Sequence, residues 1–263
     1  MALTDGIIGC WSPSVRGSGY LLPDLSGRGN HGVLTNMDAG TDWPGAAVRG
    51  VHGRVLDFDG TNDHVVTSRG VPVASAVLSV SLWIWRRDTP TKYPRVIDLS
   101  DGTHSVQAVF DMWTADGGSG FFVTKHSQYQ TGITGTQWGF VPTLQTWEHI
   151  AIIFNGVTSS TRVWRNGVEQ TGAANNNIGA GAAANTLVFG VRRDLNAITQ
   201  LDGQLGEVAI FNRAVAQPEV MDIYRSGNGA IGRQLTGQTR RRVYGFAPST
   251  GARRRRILCG DYS

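Results

Sequence analysis

The feature that most constrains the fold is an alternation of apolar and polar residues with a period of two. It is clearest at residues 78–85, and within residues 147–154 Ile150, Ile152 and Phe154 alternate with Ala151 and Ile153, so both faces are apolar. Because successive side chains of a strand point to opposite faces, this pattern indicates strands, the second of them covered on both sides. Turn dipeptides such as Asn166-Gly167 and Asp202-Gly203 separate the segments. Strands spaced about 8–12 residues apart with turns between them are typical of a β-sandwich or barrel.

The same reasoning divides the whole chain into elements. Further strands are predicted at residues 6–11, 54–57, 64–67, 95–99, 105–112, 120–124, 161–165, 168–171, 186–191 and 205–211. One short helix is predicted after Gln217, because Pro218 suits a first helical turn and Glu219 places a negative charge at the helix N-terminus. The alternation ends near residue 231. We therefore predict a β-sandwich domain at 1–231 and an arginine-rich arm at 232–263.

The positive charge of the chain is concentrated in that arm. Seven of the 24 basic residues lie beyond residue 239, with one of the 20 acidic residues, so 17 basic and 19 acidic residues lie at 1–239. A nucleic-acid-binding fold carries its basic residues over a surface of the domain, so this distribution argues against nucleic acid as a partner. The chain has no apolar run of about 18 residues and no leader with the pattern of a signal peptide. We expect no membrane association and synthesis in a host cytoplasm without export.

Cys10 and Cys259 are the only cysteines. Two interpretations stay open: reduced, small apolar residues in a protein made without export, or one disulfide that joins the two ends of the chain. The first is favoured because no export signal is visible.

Several segments, in this order, resemble the laminin-G-like, concanavalin A-like jelly-roll family. They are residues 22–32, 56–65, 80–84, 147–151, 163–167 and 201–214. The resemblance covers roughly residues 5–226. It implies an all-β fold, a two-sheet antiparallel jelly-roll sandwich, here with one short C-terminal helix and a basic tail.

Members of this family occur in bacterial surface proteins, in polysaccharide-active enzymes as accessory modules and in phage particles. The resemblance therefore implies a structural protein of a phage or phage-like particle, such as a head decoration, fibre or tail-associated protein, located in the virion. Such a protein would contact other capsid or tail proteins, self-associate and bind host glycans. The alternative is a polysaccharide-binding lectin, secreted or held at the bacterial cell surface.

No enzymatic activity is expected from the acidic residues. Glycoside hydrolases with this jelly roll use two closely spaced acids on one strand. The four glutamates, Glu148, Glu169, Glu207 and Glu219, are far apart in the sequence. Asp57 and Asp59 match a structural turn of the family.

Calcium is the cofactor that the resemblance implies, because the family often ties its first loop to its last strands through this ion. The matching positions are Asp24, Asn30 and Glu207. Their side chains supply the oxygen atoms that calcium prefers. The alternative is that they accept hydrogen bonds from turn amides, as Asp and Asn commonly do.

A glycan site is predicted where flat aromatic rings accompany polar groups, since sugar C–H faces stack on rings while hydroxyls bond to polar partners. The candidates are Trp113, Tyr129, Trp138 and Arg192, with Trp83 and Trp85 on the off-face of their strand. The alternative for each tryptophan is a place in the core between the sheets.

The arm is predicted to bind partner proteins. The arginines assigned to this role, called the arm arginines below, are Arg240, Arg241, Arg242, Arg253, Arg254, Arg255 and Arg256. Guanidinium groups could bind acidic patches of a neighbouring subunit, neutralise nucleic acid, or stay solvated. Anchoring to protein is favoured because apolar segments, 243–246 and 257–259, lie between the arginines.

Overall fold

A computed structural model of the chain describes residues 2–17, 19–71, 77–87, 94–100, 108–114, 121–125, 136–138, 140–155, 160–171, 186–192, 195 and 197–237. Its strands are β1 (Ile7–Trp11), β2 (Leu21–Leu22), β3 (Gly32–Thr35), β4 (Gly45–Val48), β5 (Val51–Arg54), β6 (Leu56–Asp59), β7 (His64–Thr67), β8 (Val77–Arg86), β9 (Arg95–Ser100), β10 (Ala108–Thr114), β11 (Phe121–Lys125), β12 (Thr136–Trp138), β13 (Glu148–Asn155), β14 (Ser160–Arg165), β15 (Val168–Gln170), β16 (Thr186–Phe189) and β17 (Asp202–Phe211). Two helices follow, α1 (Gln217–Ser226) and α2 (Ala230–Leu235).

The strands form two large antiparallel sheets and one hairpin. The first sheet has the order β1-β17-β8-β13-β14-β15, and β6 pairs with the N-terminal half of β17, beside β1. The second sheet has the order β12-β11-β10-β9-β16-β7-β3-β2, and β4 pairs only with β5. The first and last strands of the sandwich, β1 and β17, are thus neighbours. The predicted fold class is confirmed.

The main core lies between the two sheets. One cluster of buried side chains takes Leu82 and Ile152 from the first sheet and Leu187 and Phe189 from the second. Trp11 lies in the same cluster and contacts Phe189 edge-on, with ring centroids 5.4 Å apart. Alternate residues of each strand therefore meet in one apolar layer.

The outer face of the first sheet is also buried, because both helices pack on it. A second cluster joins Trp164 and Phe211 of the sheet to Val220 and Ile223 of α1 and Ile231 of α2. This explains why residues 150–154 are apolar on both faces: one face meets the core and the other meets the helices.

Helix α2 was not predicted, and it crosses residue 231, where the sequence placed the end of the domain. The packed structure continues to Leu235, which lies against the same cluster. The two glycines after α1 indicate the end of a helix, and in the structure Gly227 and Gly229 do adopt positive φ, 74° and 77°. A new, short helix begins directly after Gly229, held by tertiary contacts described below.

Candidate functional site

Three of the four predicted glycan residues come from different strands to one end of the second sheet. Trp113 is near the end of β10, Trp138 ends β12, and Arg192 follows β16 by three residues. Backbone pairing sets this arrangement. Trp113 lies opposite Phe122 of β11, and the neighbouring Phe121 lies opposite Trp138 of β12. Because β16 and β10 both run antiparallel to β9, the C-terminal ends of β16 and β10 lie at the same end of the sheet. Phe121 and Phe122 are consecutive residues of β11, so Trp138 and Trp113 belong to opposite faces of the sheet, and a ligand on one face can contact only one of them. We call Trp113, Trp138 and Arg192 the sheet-end platform.

Strand spacing gives the size of the platform. Adjacent strands lie about 4.8 Å apart, so Trp138 and Arg192, four strands apart in the sheet order, are separated by about 19 Å with Trp113 between them. The amide of Arg192 donates to Thr199 Oγ1 at 3.2 Å, which fixes the backbone where the chain leaves β16. Tyr129, the fourth predicted residue, lies outside the described residues.

The pairing also brings together two acids that the sequence analysis did not consider. Asp98 of β9 and Asp111 of β10 are direct Cα partners. Asp98 is only 2% exposed and alternates with Ile97, which packs in the core. Directly opposite residues of antiparallel strands have Cβ atoms about 5 Å apart. Their separation of 13 positions in the sequence gives no signal, because the pair depends on strand register.

Asp24 and Asn30, two of the predicted calcium ligands, lie together in the loop after β2. Asp24 Oδ1 accepts from the amides of Cys10 (3.0 Å) and Ser26 (2.9 Å), and its Oδ2 accepts from the Ser26 hydroxyl (2.8 Å) and the Asn30 amide (3.1 Å). The Asn30 side chain accepts from the Arg69 amide at 2.8 Å. These bonds fasten the loop to β1 and β7.

Glu207, the third predicted ligand, holds helix α2 against the closing strand. Its two carboxylate oxygens accept from the amides of Ile231 (3.0 Å) and Gly232 (2.7 Å), and Ser12 adds a side-chain hydrogen bond. Burial raises the pKa of Glu207, while these donors oppose the rise. The carboxylate therefore acts as the N-terminal cap of α2, contributed by a distant strand.

These three residues do not fit a calcium ion as they stand. Calcium takes six to eight oxygen ligands, whereas the carboxylate oxygens of Asp24 and Glu207 already accept amide or hydroxyl hydrogens. No group of three or more His, Cys, Asp or Glu side chains able to hold a metal occurs within the described ranges. Calcium binding stays a prediction, and we derive no function from it.

Cys10 lies near both carboxylates. Burial raises the pKa of its thiol, and the negative charges of Glu207 and Asp24 raise it further. The thiol is free in the described part of the chain. Cys259 and the seven arm arginines lie outside the described residues, so the two interpretations of the cysteines and the predicted partner contacts of the arm stay predictions.

Trp83 belongs to a buried aromatic layer between the first sheet and α1. It lies 5.2 Å from the His149 ring and 6.0 Å from the Tyr224 ring, centroid to centroid, and is 2% exposed. His149 Nε2 lies 2.9 Å from Ser81 Oγ. Burial lowers the pKa of His149 to about 3, so the imidazole is neutral at pH 7. Trp83 therefore supports the helix and offers no surface to a glycan.

The model of the concanavalin A-like lectin/glucanases superfamily, Laminin_G_3, matches residues 59–221, more than half of the chain. The chain belongs to this family. No curated protein sequence matches the chain. In the described residues no helix is long and apolar enough to cross a membrane.

Solved structures agree with this fold. The Trypanosoma rangeli sialidase in complex with sialic acid is 13% identical with a TM-score of 0.59, over 84% of this chain and 33% of that one. The receptor binding domain of botulinum neurotoxin mosaic serotype C/D is 12% identical with a TM-score of 0.61, over 86% of this chain and 52% of that one. The chain thus spans about a third to a half of the proteins it resembles.

These comparisons correct the expectation that the chain is not an enzyme. The family includes glucanases as well as lectins, and the fold is shared with sialidases. Acids that are far apart in the sequence can also be paired by strand register, as Asp98 and Asp111 are. The fold alone does not establish whether the chain has a catalytic activity.

Proposed function

We propose that this chain is a carbohydrate-binding protein of a phage or phage-like particle. The observation that carries the carbohydrate function is the match of residues 59–221 to the concanavalin A-like lectin/glucanases superfamily. Trp113 and Arg192 of the sheet-end platform are the candidate contact residues, because they lie two strands apart at one end of the second sheet and their residue types suit sugar faces and hydroxyls. The family name and the sialic acid complex of the sialidase neighbour support the same ligand class.

Variants of the platform test this carbohydrate function. We expect Trp113→Ala to weaken binding of the full chain to insoluble host-wall polysaccharide by about tenfold, since aromatic contacts commonly dominate binding. Trp85→Ala is the matched control: Trp85, a glycan candidate by residue type, is a partly exposed tryptophan of the first sheet, whereas the platform belongs to the second. Equal binding by the two variants would contradict the platform as the binding surface.

The particle role is supported by the arginine-rich composition of residues 240–256 and the apolar segments within the arm. Guanidinium groups bind carboxylates in a bidentate manner, and apolar side chains add buried area, so the arm suits anchoring to neighbouring capsid or tail subunits. We expect the chain to band with particles in a density gradient. Replacing all seven arm arginines by glutamine should release it while the glycan binding of the domain persists. Unchanged incorporation would contradict the anchoring role, and a bacterial surface or secreted lectin would then be the better assignment.

A second candidate function, hydrolysis of a glycosidic bond, is favoured by the pairing of Asp98 with Asp111. Retaining glycosidases hold their two carboxyl groups about 5–5.5 Å apart, the range that directly opposite residues can reach. Release of reducing sugar from a bound polysaccharide, abolished in Asp98→Asn and Asp111→Asn, would establish it. Binding without any release of sugar would leave the lectin function alone.

A further inference from the structure

We propose that a cationic cleft, separate from the sheet-end platform, binds the carboxylate group of an acidic saccharide. The cleft has a volume of about 670 Å³ and lies between the turn after β1 and the β4–β5 hairpin. Its lining residues are Pro13, Ser14, Val15, Arg16, Gly17, Gly45, Ala46, His52, Gly53 and Arg54. None of them belongs to the platform, so the inference rests on the proposed carbohydrate function but names a second site and a ligand class.

The two walls of the cleft are held together by close packing. A Cβ atom on Gly53 would lie 2.5 Å from Ser14 Cβ, so the hairpin approaches the turn as closely as only glycine permits. Arg54 Nη1 donates to the Gly17 carbonyl at 3.1 Å. Gly17 lies against the ring of Trp43, whose Nε1 donates to the Gly19 carbonyl at 2.8 Å. The cleft is therefore a built feature of the fold.

The charge of the lining is entirely basic. Arg16, His52 and Arg54 are exposed in the cleft, and no aspartate or glutamate is among its lining residues. Within the described ranges, no hydrogen bond or ion pair satisfies the side chains of Arg16 and His52. A guanidinium group presents a planar fork of donors that matches a carboxylate, and two of them on one cleft favour an anion.

The remaining lining favours a saccharide over a nucleic acid. Val15 and Ala46 offer small apolar contacts for the C–H groups of a sugar ring. No aromatic residue is among the lining residues on which a base could stack. The 17 basic and 19 acidic residues at 1–239 also give no broad positive surface to follow a phosphate backbone.

Calorimetric titrations of the full chain test the site. The probes are trisaccharides of galacturonate, of glucuronate with N-acetylglucosamine, and of a sialylated lactose, with maltotriose as the neutral comparison and a short oligodeoxythymidylate as a phosphate polymer. Because the arm attracts polyanions by charge alone, each titration is repeated in the full chain with its seven arm arginines replaced by glutamine. We expect one acidic trisaccharide to bind in both backgrounds.

Three substitutions locate that binding. Arg16→Gln and Arg54→Gln should each weaken it by about tenfold, because each removes a charge-assisted hydrogen bond. Gly45→Glu should abolish it, since a Cβ at Gly45 meets nothing within 4 Å and the added carboxylate would lie on β4 directly opposite Arg54. Gly45→Gln controls for size. Arg225→Gln controls for charge, because Arg225 is an exposed arginine of α1.

The other possible results contradict either the cleft proposal or the proposed carbohydrate function. If the acidic trisaccharide binds equally to wild type and to the three cleft variants, the cleft proposal fails and the carbohydrate function stands. If a neutral glycan binds to the platform but no acidic trisaccharide binds, the cleft proposal fails alone. Tighter binding of the oligodeoxythymidylate, lost in Arg54→Gln, would reassign the cleft to phosphate. Binding of no saccharide at all would overturn the proposed function as well.

Discussion

The buried imidazole of His149 should make the protein lose stability on mild acidification. The pKa of His149 is lowered to about 3 from 6.5 by burial against Trp83 and Tyr224. A lowered pKa means that the unfolded chain binds this proton more readily than the folded chain. The stability that the neutral His149 imidazole adds to the folded state is therefore fully present above pH 6.5 and is lost as the pH falls from 6.5 towards 3.

The magnitude follows from proton linkage. With these two pKa values the free energy of unfolding falls by about 2 kcal/mol between pH 7 and pH 5, and by about 5 kcal/mol below pH 3. Other groups act in the opposite sense. Burial raises the pKa of Asp63 to about 6 and also raises that of Glu207, so protonation of these carboxyl groups favours the folded state as the pH falls.

A comparison of variants isolates the imidazole. Urea unfolding at pH 7 and pH 5 is measured for wild type and for His149→Gln, whose amide can still bond to Ser81 but does not titrate. We expect wild type to lose about 2 kcal/mol more than the variant between the two pH values. His52→Gln is the matched control, because His52 is exposed and solvent surrounds its ring in both states. Identical pH dependence in wild type and His149→Gln would refute the reasoning.

Three further expectations concern the loop, the helix and the hairpin. Glu207→Ala should lower the free energy of unfolding measured in urea by about 3 kcal/mol, because it leaves the buried amides of α2 without an acceptor. A loss below about 0.5 kcal/mol, the usual range for a surface position, would contradict the role of Glu207 as the cap of α2. A chelator should leave the melting temperature unchanged, because hydrogen-bond donors of the protein occupy the carboxylate oxygens of Asp24. A higher melting temperature after calcium is added would support the predicted calcium site instead. Gly167→Ala should lower the free energy of unfolding by about 2 kcal/mol and with it the melting temperature, since φ at this position is 79° and the new Cβ would lie 2.4 Å from Met221 Sδ. An unchanged melting temperature would show that the turn relaxes to accept the methyl group.

The parts of the fold that depend on local pattern could be predicted from the sequence. The strand at 64–67 was predicted with the bounds that β7 has, and Asn166 and Gly167 both take the positive φ that a tight hairpin turn requires, 52° and 79°. Alternation also gave β8, β13 and β17 to within a few residues. Strands β2 and β4 could not be found, because β2 has only two residues and β4 consists of one glycine and two alanines before Val48, residue types that do not favour strands.

The parts that depend on tertiary contacts could not be predicted. Helix α2 is six residues long and is held by the Glu207 carboxylate from 24 residues upstream, so no local signal marks it. The Asp98–Asp111 pair needs the register of two strands, and the cationic cleft needs a hairpin placed against a turn some 40 residues away in the chain. The platform residues were chosen by residue type, and only the sheet order shows that three of them reach one end.

The measurement that tests the account most directly is a glycan array probed with the full chain at physiological salt, with and without calcium. The account predicts specific binding to a subset of glycans in both conditions, reduced in Trp113→Ala and unchanged in Trp85→Ala. No binding to any glycan in either condition would contradict the carbohydrate function and leave the arginine-rich arm as the part of the chain with an assigned role.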